Sequence, residues 1–279
     1  MVDLHMHSTA SDGTDSPKRI IEKCSKLRLA LASITDHDTV KGQAEAVRAA
    51  RKAGLPYVTG AEFSVKYEGE LHILGYGLDI SNASLLDEMR RLQKSRTDRM
   101  MAIVDNLNAE GKKISYGDVL KHAGGQSVGR PHIAQALLEK GYVGSFDEAF
   151  TLYIGDRGSC YVPREKLSPE EAIALITGAG GYPVIAHPKF IRTDDLEGLV
   201  NEFSSYRNNG KGLWGIEAYY PAHSDRETER FADIAERHGL HVTSGSDYHG
   251  SIKKVAIASE RREGKLLSES IECLLKKAI

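Results

Sequence analysis

Short apolar, β-rich runs alternate along the chain with segments whose apolar residues recur every three or four positions. The runs Leu31–Ile34, Tyr57–Thr59, Pro183–Ala186, Leu213–Ile216 and His241–Thr243 read as strands. A first helix is predicted from Ser16-Pro17, a cap followed by proline in the first turn, with Ile20, Ile21, Cys24 and Leu27 as its apolar stripe. A second covers Val40 to Ala53 and closes at Gly54; another opens on Ser168-Pro169-Glu170-Glu171, a capping-box arrangement, and stops near Gly178. This alternation predicts βα units. The Gly178-Ala179-Gly180-Gly181 stretch precedes its strand, so it reads as helix termination and not as a phosphate loop.

From Leu85 to Gly158 the strand pattern vanishes. Helical patterns cover Leu85–Asn108, Tyr116–His122, Pro131–Lys140 and Phe146–Tyr153, interrupted by a glycine-rich turn, Gly124 to His132, that sets Arg130 and His132 at a helix start. The expected organisation is an α/β domain from residues 1–84 and 159–279 carrying an inserted helical subdomain at 85–158.

Composition narrows the class. At 279 residues and 41% apolar content, core size is not limiting, and no run approaches the roughly 20 apolar residues that span a bilayer. The opening Met1-Val2-Asp3-Leu4-His5 turns polar at once, unlike a signal peptide, so a cytoplasmic protein is expected. Cys24, Cys160 and Cys273 are odd in number and far apart, which indicates neither a disulfide framework nor a thiolate zinc site. A formal charge of −2 without a block of like charges does not suit a protein that grips long nucleic acid, though a small anionic substrate fits.

Against this background the placement of histidines and carboxylates is unusual. His5 and His7 lie two apart after a short apolar strand, so both imidazoles face one way. Asp12 follows; Asp36-His37-Asp38 follows the Leu31–Ile34 run, Glu62 the Tyr57–Thr59 run, and His72 lies within Leu71–Leu74. His187 then follows Pro183–Ala186, and Asp247-Tyr248-His249 follows His241–Thr243. Repetition at successive strand ends argues against coincidence, and a mixed His/Asp/Glu set favours a first-row divalent metal.

His5-Met6-His7-Ser8-Thr9-Ala10-Ser11-Asp12-Gly13, Thr35-Asp36-His37-Asp38, Glu62, His72, Ala186-His187-Pro188 and Ser246-Asp247-Tyr248-His249 together resemble the PHP (polymerase and histidinol phosphatase) superfamily across nearly the whole chain. Ser127-Val128-Gly129-Arg130-Pro131-His132 is similar to the branch that dephosphorylates nucleoside 3′,5′-bisphosphates and 5′-nucleotides, including relatives that trim RNA from its 5′ end. The resemblance implies a distorted (β/α)7 TIM-like barrel with a site at strand C-terminal ends. It implies two to three divalent ions, manganese first, with iron, zinc or magnesium as alternatives. A first ion would take His5, His7, Glu62 and Asp247; Glu62 would bridge to a second held by His72 and His187; Asp12, His37 and His249 would hold a third. Asp12 stands where some histidinol phosphatase relatives carry histidine.

The implied activity is hydrolysis of phosphate monoesters by a metal-activated hydroxide, without a protein nucleophile. Ser246 lies outside any G-x-S-x-G elbow, against serine hydrolase chemistry. Asp247 or His249 would assist proton transfer, while Arg130, His132 and His223 would contact the substrate phosphate. The expected substrate is a nucleoside 3′,5′-bisphosphate or 5′-nucleotide, with short 5′-phosphorylated RNA as a relative of it; no membrane and no obligate protein partner are inferred. The alternatives are a histidinol-phosphate or sugar-phosphate phosphatase and, in another class, a noncatalytic metal-binding regulatory module.

Overall fold

The computed structural model describes residues 1–122, 128–206, 211–260 and 262–279; Gly124 to Ser127 of the glycine-rich turn lie outside them. Two compact units divide the chain, Met1–Met89 with Lys166–Ile279, and Arg90–Glu165. The first is a mixed α/β unit. Its strands are β1 (Val2–Asp3), β2 (Leu31–Ala32), β3 (Gly60–Ser64), β4 (His72–Tyr76), β5 (Tyr182–Ile185), β6 (Gly215–Tyr219) and β7 (His241–Ser244).

Strands β1 and β2 pair in parallel, and β3 to β7 form a second sheet in sequence order. Among the described residues these ladders are two separate sheets and not one closed barrel. Strand β4 departs from the βα alternation that the sequence predicts, running antiparallel to both β3 and β5. The reason is local: only residues 65–71 separate β3 from β4, too few for the crossover that a parallel partner needs.

Helix ends follow the sequence closely. In α1 (Pro17–Lys26) the Ser16 hydroxyl accepts from the Arg19 N–H, and Ile20, Ile21 and Cys24 are buried. Leu27, expected in that stripe, caps the helix and is 41% exposed. Helix α2 (Gln43–Ala53) begins three residues later than predicted, because the Gln43 amide donates to the Ile34 and Gly60 carbonyls and accepts from the Tyr57 hydroxyl. That bond set also shifts the third strand: Tyr57 makes one bridge to Ala32, and the ladder starts at Gly60, placing Glu62 inside β3.

Helix α3 (Ala83–Ala109) enters the second unit, which continues with α4 (Tyr116–His122), α5 (Arg130–Glu139), α6 (Phe146–Ala149) and a π-turn over Phe150–Ile154. That unit has its own apolar core, around Ile103, Leu107, Val119, Ile133 and Leu137. The chain then returns through α7 (Pro169–Gly178), where Ser168 and Glu171 complete the capping box, α8 (Leu196–Ser205), α9 (Asp225–Arg237) and α10 (Lys265–Leu275). Gly180 adopts φ 76° just past α7, as a terminating glycine does.

Candidate metal centre

His5 and His7 follow β1, His37 follows β2, His187 lies two residues past β5, and Asp247 and His249 follow β7. The antiparallel β4 completes the set: its first residue, His72, pairs with Ser64 at the far end of β3, on the face that Glu62 shares by alternation. Nine side chains separated by up to 244 residues in sequence thus meet in one region, and all but Asp12 and His37 are buried.

Glu62 is the hub. Its carboxylate lies 2.8 Å from His72 Nδ1, 2.9 Å from His37 Nδ1, 3.1 Å from His187 Nε2, 3.3 Å from His7 Nε2 and 3.4 Å from His5 Nε2. A carboxylate offers about four lone-pair positions, so five imidazoles cannot all donate to it. The two remaining carboxylates are comparably placed: Asp247 Oδ1 is 3.2 Å from His7 Nε2, and Asp12 lies 3.4 Å from His249 Nε2 and 3.7 Å from His37 Nε2. His5 Nε2 and His7 Nε2 face each other at 3.1 Å. Nitrogen lone pairs turned toward one another and toward carboxylate oxygens suit cations better than they suit hydrogen bonds. Among the described residues, four sets each bring their ligand atoms within 4.8 Å of one another: His7/Asp12/His37/His249, His5/His7/Asp247, His5/Glu62/His187 and His37/Glu62/His72. This donor set fits divalent metal ions.

The rings are aimed from behind. Glu217, fully buried on β6, accepts from His5 Nδ1 at 2.9 Å with one oxygen and from the His187 backbone N–H at 2.8 Å with the other. His5 Nε2 is thereby turned toward the cluster, the usual way a carboxylate orients a ligand imidazole. His249 Nδ1 donates to the Asp247 carbonyl at 2.8 Å, which leaves Nε2 facing Asp12. Asp247 Oδ2 is engaged by the Tyr220 hydroxyl at 2.9 Å and Lys253 Nζ at 2.5 Å, and Oδ1 is directed to the histidines. Asp36 holds the loop between His7 and Asp12, accepting from the Ser8 N–H, the Ser8 hydroxyl and the Ser11 hydroxyl, each at 2.7 Å.

The backbone is strained where it presents two of these groups. His187 has φ 27° and Asp247 φ 54°, a region that costs non-glycine residues about 1–3 kcal/mol each. The Glu217 bond to the His187 N–H, and the bond from the Asp247 N–H to the His5 carbonyl at 2.8 Å, hold these turns. Gly245 is required beside them: a Cβ there would sit 2.2 Å from the His5 Cβ and 2.7 Å from Glu217 Oε1.

The sequence pattern points to the nine clustered residues but not to Tyr220, Lys253 or Asp36 as their supports, and by pattern alone Glu217 reads as structural. Of the predicted substrate contacts, His223 lies near the cluster, its ring 5.1 Å from Tyr220. Its Nδ1 donates to the Ala218 carbonyl at 2.9 Å, and its buried Nε2 has no hydrogen-bond partner among the described residues. Arg130 and His132 lie in the second unit. Arg130 donates to Asp156 at 2.8 Å and stands over Phe150, and His132 Nδ1 accepts from the Gly129 N–H at 2.9 Å.

Charge and burial set opposing protonation tendencies. Burial disfavours charge on Asp12, Glu62 and Asp247, but the surrounding imidazoles override it and hold all three well below the ordinary carboxylate range. Burial likewise opposes protonation of His5 and His187, yet the charges of Glu217 and Glu62 raise both. For His72 burial prevails and lowers it. Without metal, the depressed carboxylates contribute stability above the ordinary carboxylate range that is lost as pH falls. The raised imidazoles contribute stability below their unfolded value that is lost as pH rises through their folded values. The metal-free protein is therefore expected to be most stable between about pH 4 and 6.5. Divalent ions require those imidazoles deprotonated, so the gain in melting temperature on adding manganese should grow as pH rises beyond that window. A gain that shrinks with rising pH would contradict this assignment.

A model of the PHP domain matches residues 3–175. The chain belongs to the PHP domain family. Among PHP relatives, it is 34% identical over 254 residues to a 3′,5′-nucleoside bisphosphate phosphatase of Chromobacterium violaceum, covering 89% of this chain and 87% of that one. It is 30% identical over 252 residues to the 5′-3′ exoribonuclease Rnm of Salmonella typhimurium, covering 88% and 84%. A solved structure from Bifidobacterium adolescentis, described as a metal-dependent phosphoesterase, superposes with a TM-score of 0.84 at 30% identity, covering 100% of this chain and 96% of that one. Among the described residues no helix is long and apolar enough to cross a membrane.

Proposed function

We propose that this PHP chain is a metal-dependent phosphoesterase that hydrolyses phosphate monoesters of small nucleotides, with a nucleoside 3′,5′-bisphosphate or a 5′-nucleotide as substrate and short 5′-phosphorylated RNA as an extension of that class. The observation that carries the reading is the convergence of five imidazoles on the buried Glu62 carboxylate. The two relatives' names, a nucleotide phosphatase and an exoribonuclease, supply the substrate class.

In this reading His5, His7, Glu62 and Asp247 would hold one ion, Glu62, His72 and His187 a second, and Asp12, His37 and His249 a third, with manganese the preferred metal. Bound ions supply neutralisation of phosphate oxygens and a lowered pKa for attacking water, toward about 7. The chain's own groups do the rest. Tyr220 and Lys253 tether one oxygen of Asp247, so the other stays aimed at the reacting centre. His249, with Nδ1 committed to the Asp247 carbonyl, has Nε2 alone to offer: it would hold the third ion where that position is filled, and would serve proton transfer to or from the leaving oxygen where it is not. His223 presents a buried Nε2 with no partner among the described residues, a position that substrate phosphate would satisfy once the ring is protonated. Arg130 and His132 are the further phosphate contacts, proposed from the match of their motif to the nucleotide-cleaving branch and from the fit of a guanidinium fork to phosphate.

We also read the two sheets as an open, distorted form of a (β/α)7 barrel, its ladders unclosed and β4 reversed. Support comes from single backbone bonds linking the two ladders: Leu4 N–H to Ser244 O at 3.0 Å, Val58 N–H to Ala32 O at 3.0 Å and Glu62 N–H to Asp36 O at 3.2 Å. A cytoplasmic setting fits three unpaired thiols, two of them buried.

The test is phosphate release from adenosine 3′,5′-bisphosphate, AMP, histidinol phosphate and 5′-phosphorylated RNA at equal manganese loading. Preference for the nucleotides is expected. Preference for histidinol phosphate would overturn the substrate class, and inactivity of fully loaded protein toward all four would point to a noncatalytic module.

A further inference from the structure

The weak overall charge hides a division between the two units. Arg90–Glu165 carries twelve Lys/Arg against nine Asp/Glu, a formal +3, while the rest of the chain carries −5. Within that unit a cleft of about 360 Å³ runs along α3 and is faced by the Val162–Glu165 segment. Arg91, Lys94 and Arg99 line it from the helix and Arg164 from the opposite segment. Arg91, Ser95 and Arg99 recur at four-residue spacing on one helix face, and Arg91 to Arg99 spans about 12 Å.

Two carboxylates share the cleft, but they answer the outer cations: Glu165 pairs with Arg91 and Asp98 with Lys94, each at 2.7 Å. Both pairs are solvent-exposed and exchangeable at little cost. Arg99 differs. Its Nε donates to the Val162 carbonyl, and its guanidinium stands 5.3 Å over the Tyr161 ring. Burial, followed by the nearby charges of Arg130, Arg164 and Arg96, lowers its pKa to about 10. The four cations that line the cleft outnumber its two carboxylates, and Arg99 carries its charge where water is partly excluded.

We propose that this cleft binds the phosphodiester backbone of single-stranded RNA, through internal phosphates and not through the terminal phosphate that is hydrolysed. The inference rests on the nucleotide phosphoesterase reading. A row of cations about 12 Å long exceeds what one phosphate can use, and it suits a chain of them. Guanidinium groups match phosphate oxygens with paired donors, and an arginine plane laid on Tyr161 extends the flat surface on which bases stack. Such a groove reads backbone charge without reading sequence.

The test uses the full chain and fluorescence-labelled RNAs with 5′-hydroxyl ends, which offer backbone phosphates but no terminal monoester. Binding of a dinucleotide and an octamer is followed by anisotropy across potassium chloride concentrations. The octamer is expected to bind more tightly than the dinucleotide. Arg99→Ala combined with Arg164→Ala should weaken the octamer at least tenfold and reduce the salt slope by about 0.7 for each phosphate that the variant no longer neutralises. Arg99 also holds a carbonyl, so Lys94→Ala, at a side chain 76% exposed, provides a variant that leaves the fold undisturbed; it should weaken the octamer severalfold. Equal octamer affinity in wild type and both variants would overturn the proposal. So would equal affinity for dinucleotide and octamer, or displacement of the octamer by low millimolar inorganic phosphate, which would mark a small-anion site. Hydrolysis of adenosine 3′,5′-bisphosphate is assayed in parallel; its failure counts against the functional reading, whereas the binding arms judge the groove.

Discussion

Glu62→Ala is expected to reduce manganese-supported phosphate release by about a thousandfold or more, since it removes several kcal/mol of charge organisation at the reacting centre. The same substitution should lower bound manganese per chain, because the lost carboxylate lies within 3.4 Å of His5, His7, His37, His72 and His187. It should also lower the stability of the metal-free protein at pH 6 and below. There the raised imidazoles His5 and His187 carry charge that Glu62 helps to balance. Kinetics, metal analysis by mass spectrometry and thermal melts check the three effects. Retention of activity and metal content would mean that the cluster is not the reacting centre.

Glu217→Gln is the second large effect, and it separates positioning from ligation. The carboxylate uses one oxygen for the His5 ring and the other for the His187 N–H, both of which donate. Glutamine has one acceptor oxygen; its NH2 group would confront a donor. Leaving a buried donor unsatisfied costs about 1–3 kcal/mol, and losing an orienting partner weakens metal affinity by roughly 10–100-fold. The expected signature is an enzyme that needs more manganese for half-maximal rate but recovers much of its turnover at saturation. A turnover loss that no manganese concentration restores would make Glu217 a participant in the reaction and not a positioning residue. Unchanged manganese dependence would remove it from the site altogether.

Local signals were legible in the sequence and long-range ones were not. The caps of α1 and α7 could be read from Ser16-Pro17 and Ser168-Pro169-Glu170-Glu171 because capping bonds close within four residues. The histidine and carboxylate positions stood out because alternation and strand ends give side-chain direction from spacing alone. Strand boundaries were less accessible: the start of β3 depends on Gln43 reaching across to the Ile34 and Gly60 carbonyls, a tertiary contact with no periodic trace. The antiparallel course of β4 followed from the short 65–71 link, a signal that was present but outweighed by the βα alternation around it. Glu217 illustrates the limit best. Nothing near it in sequence indicates that its two oxygens meet His5, 212 residues away, and His187, 30 residues away. Lys253 and Tyr220 acquire their roles only through Asp247, which the turn after β7 carries to them.

The buried imidazoles and carboxylates around Glu62 act, in every step above, as a cation site. Anomalous diffraction from crystals soaked in manganese tests it most directly. Manganese peaks are expected about 2.0–2.6 Å from oxygens of Glu62 and from the facing nitrogens of His5 and His187. Manganese bound elsewhere on the molecule, with no peak within reach of Glu62, would contradict it.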